Sequence, residues 1–132
     1  MPGHSSVLVV SSDSEDRKAL AQLLDRFSLH VIPCSSVAQA SEVLSRHAVD
    51  VAFCDDRLSD GCYRDLLAIK NPGQKLPRLV VIFRTGEWEQ YLEAMHLGAF
   101  DALRRPWRPT DVEVVILRAT QDDRRAADRR IA

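Results

Sequence analysis

The amino-acid sequence predicts a doubly wound α/β sandwich, (βα)5, in which a parallel sheet lies between two layers of helices. The first observation is that five short apolar runs alternate with segments of helical periodicity. The second is that the connections have ordinary lengths, and parallel strands need crossover helices. Right-handed crossovers then give a doubly wound three-layer domain. Among the orders known for such domains we favour the flavodoxin-like order 2-1-3-4-5.

Each apolar run is short, β-branched or bounded by turn signals, as is typical of buried parallel strands. The predicted strands are Val7–Val10, His30–Ile32, Val51–Cys54, Leu79–Phe83 and Ala99–Leu103. Pro33 closes the second run, Asp60-Gly61 marks the turn after the third, and Asn71-Pro72-Gly73 ends the helix that follows it. The sequence therefore sets the number of strands and their approximate limits.

Three capping boxes predict where helices begin, because a hydroxyl and a carboxylate or amide three residues later satisfy free backbone amides. They are Ser12-x-x-Glu15, Ser36-x-x-Gln39 and Thr110-x-x-Glu113. Apolar residues at helical spacing predict the buried faces. These are Leu20, Leu23, Leu24 and Phe27 in the first helix, and Val37, Ala40 and Leu44 in the second. Tyr63, Leu66 and Leu67 suggest a short third helix, and Trp88, Leu92 and Met95 line a fourth. The last helix begins with Val112, Val114, Val115, Ile116 and Leu117. Gly98 is expected at the C-terminal cap of the fourth helix.

Composition indicates an ordinary soluble, cytoplasmic domain. The 132 residues carry a net charge of −1, which provides no bulk attraction for nucleic acid or an anionic membrane. No apolar run reaches the roughly 18 residues of a membrane span. The three cysteines lack the spacing of a metal site, and their odd number favours reduced thiols over a disulfide framework. The four histidines are scattered, and no pair has zinc-ligand spacing.

We expect three segments along the chain. Residues 1–6 form a disordered N-terminus or an expression remnant, and residues 7–121 form the domain. Residues 122–132 are a charged helical extension or the start of a linker, since charges there recur at helical spacing. A solvated helix end and a linker helix to an effector domain, on a missing C-terminal part, both remain open.

Asp55 and Asp56 end the third strand, which is otherwise apolar. In an open parallel sheet, ligands bind beyond the carboxyl ends of the strands, where the strand order reverses. The predicted order makes strands one and three neighbours, so the loop after Val10 and the loop after Cys54 share one crevice. The sequence therefore predicts a functional site around Asp55.

Taken together, these features resemble the receiver domain of two-component response regulators, from Val7 to about Thr120. The matching motifs are the strand ending in Asp55, Arg57-Leu58-x-Asp60-Gly61, Ala94-Met95-x-x-Gly98-Ala99 and a basic residue before Pro106. The resemblance implies that Asp55 is the phosphoacceptor for a sensor histidine kinase. It also implies Mg²⁺, which neutralises the charge that develops between two anions, and a cis peptide before Pro106.

The sequence departs from the family at most supporting positions, so we expect a degenerate site. Ser11 and Ser12 replace the usual acidic pair, and neutral hydroxyls are poor ligands for Mg²⁺. No cofactor is therefore expected, and Mg²⁺ binding is at best weakened. Phe83 takes the position of the switch hydroxyl and more simply packs in the core. Arg84 replaces the small residue beside it, Arg105 replaces the lysine before Pro106, and Ala102 replaces the family's aromatic.

Several residues allow two interpretations. Ser12 caps the first helix or has a ligand role, and Asp13 and Asp56 are weak metal candidates that are otherwise solvated. Thr85 is a weak substitute for the lost switch hydroxyl. We further predict that Arg84 or Arg105, with Arg105 preferred, forms a standing salt bridge with Asp55, because guanidinium stays charged and pairs with carboxylates. A bound anion or an unpaired, solvated arginine are the alternatives.

Two functions follow from the sequence. The first is a phosphorylatable receiver domain acting through Asp55. The alternative is a pseudo-receiver, a protein-interaction module that is independent of phosphorylation. An enzyme is not expected, because no glycine-rich phosphate loop and no nucleophile–base pair are present. The kinase or another protein is the expected partner.

A homodimer is also possible through the face of helix four, strand five and helix five. That face carries Trp88, Glu89, Tyr91, Glu93, His96 and Arg108, with Trp107 at its edge. Trp88 is also compatible with the core.

Overall fold

The structure, a computed structural model, describes residues 5–69, 71–73 and 75–119. Its strands are β1 Ser6–Val10, β2 His30–Cys34, β3 Val51–Asp55, β4 Arg57–Leu58, β5 Gly61–Cys62, β6 Arg78–Phe83 and β7 Asp101–Arg104. Its helices are α1 Ser14–Asp25, α2 Val37–Arg46, α3 Tyr63–Leu67, α4 Trp88–His96, and α5, helical over 109–119. No helix in the described segments is long and apolar enough to cross a membrane.

The main sheet is parallel, with strand order β2-β1-β3-β6-β7. This confirms the predicted order 2-1-3-4-5, because β4 and β5 form a separate two-stranded antiparallel hairpin. The sequence did not predict this hairpin, which occupies the loop after β3. The order in which successive strands are added to the sheet reverses between β1 and β3. The loops that follow these two strands therefore share one crevice.

The core lies on both faces of the sheet, and β3 contributes to both because successive side chains alternate. Ala52 and Cys54 pack on the face covered by α2, α3 and α4. Val51 and Phe53 pack on the face covered by α1 and α5. All five residues of β3 are buried, which explains why its sequence is a continuous apolar run and does not alternate.

Two of the predicted helix starts are wrong. Asp13, not Ser12, caps α1, and its carboxylate accepts hydrogen bonds from the amides of Glu15 and Asp16. At α5, Pro109 is already the first helical residue, so Thr110 lies inside the helix and is not its N-cap; the first position suits a ring that lacks an amide hydrogen.

The N-cap position before Pro109 is Arg108. Its amide donates to the Asp111 carboxylate at 2.9 Å. Ser36 does cap α2, but Gln39 reaches back to the amide of Ser35, one residue earlier than a capping box requires.

The predicted inner face of α4 is also wrong in part. Trp88 is 65% exposed and Leu92 is 48% exposed, whereas Ala94 is the buried residue of this helix. Trp88 stacks on Tyr91 with ring centroids 5.3 Å apart. Gly98 follows the helix with φ of +110°, as expected for a residue that ends a helix in a conformation glycine adopts freely.

The ends of the elements differ from the predicted limits by a few residues. β1 begins at Ser6, one residue before the predicted start of the domain, and β7 begins at Asp101 rather than at Ala99. Phe27 lies beyond the end of α1. The predicted boundary at residues 121 and 122 and the charged extension lie outside the described residues and stay predictions.

Candidate functional site

Asp55 is the last residue of β3, at the carboxyl edge of the sheet, and is 5% exposed. It follows Phe53 by two residues, so its side chain belongs to the face of the sheet that α1 and α5 cover. The chain after β7 reaches the same edge, because β7 is parallel to β3. This topology brings Ser11, which follows β1, and Arg105, in the β7–α5 connection, to the Asp55 carboxylate.

Both oxygens of the Asp55 carboxylate have a partner. The Ser11 hydroxyl donates to Oδ2 at 2.6 Å, and Arg105 Nη2 donates to Oδ1 at 2.7 Å. Ser11 is held in turn by the amide of Asp13, which donates to its Oγ at 3.2 Å. The predicted salt bridge between Arg105 and Asp55 is therefore present. The Arg105–Pro106 peptide is cis, as predicted.

Burial raises the pKa of Asp55, because it disfavours the charged carboxylate. The hydrogen bond from Ser11 and the positive charge of Arg105 act in the opposite direction, and Asp16 nearby adds to the upward shift. Burial also raises the pKa of the thiol of Cys54, the residue before Asp55, well above its usual value. All three cysteines are free thiols, as the sequence predicted.

Arg105 has a second carboxylate partner that the sequence did not reveal. Its Nη1 lies 3.0 Å from Oδ2 of Asp16, in the first turn of α1. Arg105 thus joins α1, β3 and the segment after β7 through one guanidinium. An acidic residue in a first helical turn is usually explained by the helix dipole, so its sequence position gave no signal of this contact.

The predicted metal candidates have other partners. Asp13 caps α1, and the Ser12 hydroxyl donates to the Ser35 carbonyl and accepts from the Ser59 amide. Asp56 Oδ1 accepts from the amide of Arg57 at 3.0 Å.

Within the described ranges, no three histidine, cysteine, aspartate or glutamate side chains form a group that could hold a metal ion. A Mg²⁺ ion prefers carboxylate oxygens in octahedral geometry, and the donors around Asp55 do not fit it.

Phe83 ends β6 and is buried on the face opposite to Asp55. Its ring meets Tyr63 of α3 edge-on, with centroids 5.9 Å apart. Arg84, the other arginine considered for Asp55, is 64% exposed in its side chain and lies 3.9 Å from Asp56 instead. Thr85 is in the following loop, and its hydroxyl bonds to Gln90. The crevice therefore lacks a hydroxyl at the end of β6.

Asp60, in the turn of the β4–β5 hairpin, connects the hairpin to α2. The two carboxylate oxygens of Asp60 accept hydrogen bonds from the backbone amides of Val37, at 2.8 Å, and Ala38, at 3.0 Å. These backbone hydrogen bonds lower the pKa of Asp60. The sequence motif Asp60-Gly61 predicted only a turn, since a cap supplied from 23 residues away leaves no local signal.

Replacing Asp60 with alanine is expected to speed hydrogen exchange at the amides of Val37 and Ala38, which lose their acceptors. The amide of Gln39 is an internal control, because the Ser36 hydroxyl accepts from it independently of Asp60. Hydrogen exchange measured by NMR on the two proteins tests this. Equal protection of Val37 in both proteins would contradict it.

Comparison with known proteins gives similar sequences among bacterial response regulators. The chain is 29% identical over 99 residues to the response regulator protein PilR of Pseudomonas aeruginosa, covering 75% of this chain and 22% of PilR. It is 27% identical over 108 residues to the alginate biosynthesis transcriptional regulatory protein AlgB of the same species, covering 82% and 24%. The chain thus spans about a quarter of these relatives or less. No protein-family model matches it.

Solved structures give the same result for the architecture. A response regulator receiver domain from Clostridium thermocellum superposes with a TM-score of 0.79 at 22% identity, covering 91% of this chain and 97% of that one. The fold is that of a response regulator receiver domain. A signal receiver domain from Vibrio parahaemolyticus also superposes with a TM-score of 0.79, at 18% identity, covering 91% of this chain and 95% of that one.

The receiver fold is also found in a response regulator protein from Burkholderia pseudomallei whose structure holds a phosphorylated aspartic acid, a calcium ion and citrate. It superposes with a TM-score of 0.76 at 18% identity, covering 93% of this chain and 73% of that one. The resemblance of this chain to receiver domains is thereby confirmed.

Proposed function

We propose that the chain is a response regulator receiver domain and that this domain acts as a pseudo-receiver. Its state is set by binding a protein partner, and Asp55 is held by a standing ion pair instead of accepting a phosphoryl group. The observation that carries this proposal is the pairing of both Asp55 oxygens, with Ser11 and Arg105. A carboxylate so engaged is a poor nucleophile, and the neighbouring donors do not fit the metal that the reaction requires.

A second candidate is a phosphorylatable receiver domain. It is favoured by the position of Asp55 at the carboxyl end of the central strand, and by the phosphorylated aspartic acid in the Burkholderia pseudomallei protein of the same fold. In this case a histidine kinase is the partner, and Arg105 moves from Asp55 to a phosphoryl oxygen. In both cases the domain is regulatory, cytoplasmic and not an enzyme.

The partner surface that we propose is the exposed face of α4, β7 and α5. Trp88 and Tyr91 stack there, and Val114 and Leu117 of α5 are more than half exposed. Exposed aromatic side chains favour interfaces. The occupant is a second copy or the effector part of a longer chain, and sedimentation equilibrium of this domain tests the first possibility.

The phosphoryl-transfer test uses Mg²⁺, a small-molecule phosphodonor and intact-mass measurement. We expect no phosphoryl adduct on the native chain. The triple variant Ser11→Asp/Ser12→Asp/Arg105→Lys restores the acidic pair and the lysine, and is expected to gain an adduct. That adduct should disappear when Asp55→Asn is added.

An adduct on the native chain that is lost in Asp55→Asn would overturn the pseudo-receiver in favour of the second candidate. A response regulator with a complete acidic pair serves as the positive control for the phosphodonor.

A further inference from the structure

Three charged groups from three separate elements form a chain across the crevice. Asp55 ends β3, Arg105 follows β7, and Asp16 lies in the first turn of α1. Arg105 Nη2 is 2.7 Å from Asp55 and Nη1 is 3.0 Å from Asp16. One cation therefore serves two carboxylates that are 39 positions apart in the sequence.

The guanidinium of Arg105 depends on these two carboxylates. Its side chain is 24% exposed, and in the described part of the chain its Nε is buried without a hydrogen-bond partner. Burying a charge is costly unless it is paired. Each carboxylate consequently limits the cost of losing the other, because Arg105 keeps one anion in either case.

The polar contacts of Asp55 lead towards α1 and away from α4. Phe83 at the end of β6 packs on Tyr63 and cannot bond to a carboxylate, and Arg84 is paired to Asp56 at 3.9 Å. Ser11 connects Asp55 to the start of α1 through Asp13, and Arg17 of α1 donates to the Ser11 carbonyl at 2.7 Å.

We propose that Asp16 and Arg105 couple the charge of Asp55 to α1, so that α1 responds when that charge is neutralised. When Asp55 loses its charge, the attraction on Nη2 disappears and Asp16 alone holds the guanidinium. Arg105 then shifts towards α1, and the first turn of that helix adjusts. Asp16 is a positioning residue in this scheme. The inference rests on the proposed function only in the ion pair of Asp55 with Arg105, and it does not require Asp55 to accept a phosphoryl group.

A double-mutant cycle tests the coupling. The variants are Asp16→Asn, Asp55→Asn and the two combined, and the readout is the denaturant concentration at half unfolding. Each single variant leaves Arg105 one anion, so its midpoint should shift little. The double variant leaves a largely buried cation unpaired, so its midpoint should fall by more than the sum of the single shifts.

Glu15→Gln is the matched control for Asp16→Asn. It removes the same charge from the first turn of α1, and Glu15 is not a partner of Arg105. Combined with Asp55→Asn, it should give additive midpoint shifts. Additive shifts for Asp16 and Asp55, or equal non-additivity for Glu15 and Asp55, would overturn the proposal.

A further substitution covers the case in which the double variant does not fold. Adding Arg105→Met removes the unpaired cation and retains most of the side-chain volume, so folding should be recovered. A triple variant that stays unfolded would count against the proposal as strongly as an additive cycle.

Chemical shifts provide a readout that a purely structural role would not produce. Asp55→Asn should shift the backbone amides of the first turn of α1. This response should become smaller when Asp16→Asn is already present, because only the route through Ser11 and Asp13 then remains. A response of equal size at α4 in both backgrounds would contradict the route through α1. The phosphodonor experiment is separate, so an adduct on the native chain would overturn the pseudo-receiver without deciding the coupling.

Discussion

Replacing Arg105 with alanine is expected to lower the free energy of unfolding by about 3 kcal/mol at neutral pH. The Asp55 side chain is 8% exposed, and the variant leaves its charge with the Ser11 hydroxyl as its remaining side-chain partner among those described. Breaking a buried pair by removing one partner is costly because the other charge stays buried. Urea denaturation of the native chain and the variant measures the difference.

The size of this loss should depend on pH. Burial already raises the pKa of Asp55, and removal of the Arg105 charge raises that pKa further. At a pH below the ordinary pKa range of a carboxyl group, Asp55 is neutral in both the folded and the unfolded chain, so no charge is buried there. As the pH rises through the pKa of Asp55 in the folded variant, the unpaired charge forms and stability is lost.

Two further variants make the Arg105 prediction specific. Adding Asp55→Asn to Arg105→Ala should recover part of the stability, because no charge is then buried at that position. Arg108→Ala is the matched control, since its side chain is 79% exposed and pairs with Asp111 on the surface. It should change the free energy of unfolding by less than about 0.5 kcal/mol. A loss for Arg108→Ala equal to that for Arg105→Ala would refute the role of burial.

Replacing Phe53 with alanine is expected to lower the free energy of unfolding by about 4 kcal/mol. Phe53 is fully buried in the central strand, where β1 and β6 flank it and α1 and α5 cover its ring. The loss combines the transfer of the ring to water with the cavity that remains. Since domains are typically stable by only about 5–15 kcal/mol, this one substitution removes a large share.

Phe53→Leu and Trp88→Ala set the scale for this prediction. Leucine retains much of the apolar volume and should cost less than the alanine variant. Trp88 has a larger side chain but is 65% exposed, so its truncation should change stability by less than about 0.5 kcal/mol. Denaturation midpoints of the three variants would contradict the assigned core if Trp88→Ala were the most damaging.

The fold was predictable because its determinants are local and repeated. Each strand of the main sheet is an apolar run, and each crossover contains a helix, so the parallel three-layer architecture followed from the pattern. The order 2-1-3-4-5 was a choice among the known doubly wound orders. The caps were harder, because Ser12 and Asp13 are adjacent and either can accept from a helix amide. The inner face of α4 was predicted wrongly in part. This nine-residue helix buries only Ala94 among its residues, so the spacing of its apolar residues did not identify the buried side.

The site was predictable only where two residues had a shared chemical reason to meet. Arg105 and Asp55 were expected to pair because Arg105 takes the position of the family's lysine before Pro106, and a guanidinium pairs with a carboxylate. Asp16 and Asp60 were missed, because their partners depend on how a helix and a hairpin are oriented in space. The apolar spacing of α1 shows which side of the helix faces the sheet, but not that its first turn reaches Arg105. The β4–β5 hairpin was not predicted from the neighbouring residues.

The arrangement around Asp55 has a consequence for synthesis of the chain. Ser11 and Asp55 are separated by 44 positions, and Asp55 and Arg105 by 50. Contacts of such separation form slowly, because closing the long intervening loop costs chain entropy. Since the ribosome releases the N-terminal part first, β1 and β3 are available well before the counter-ion of Asp55 is made. In a nascent chain that ends before Arg105, the Asp55 carboxylate therefore has no arginine partner and stays hydrated. This disfavours burial of the end of β3 until Arg105 has been made.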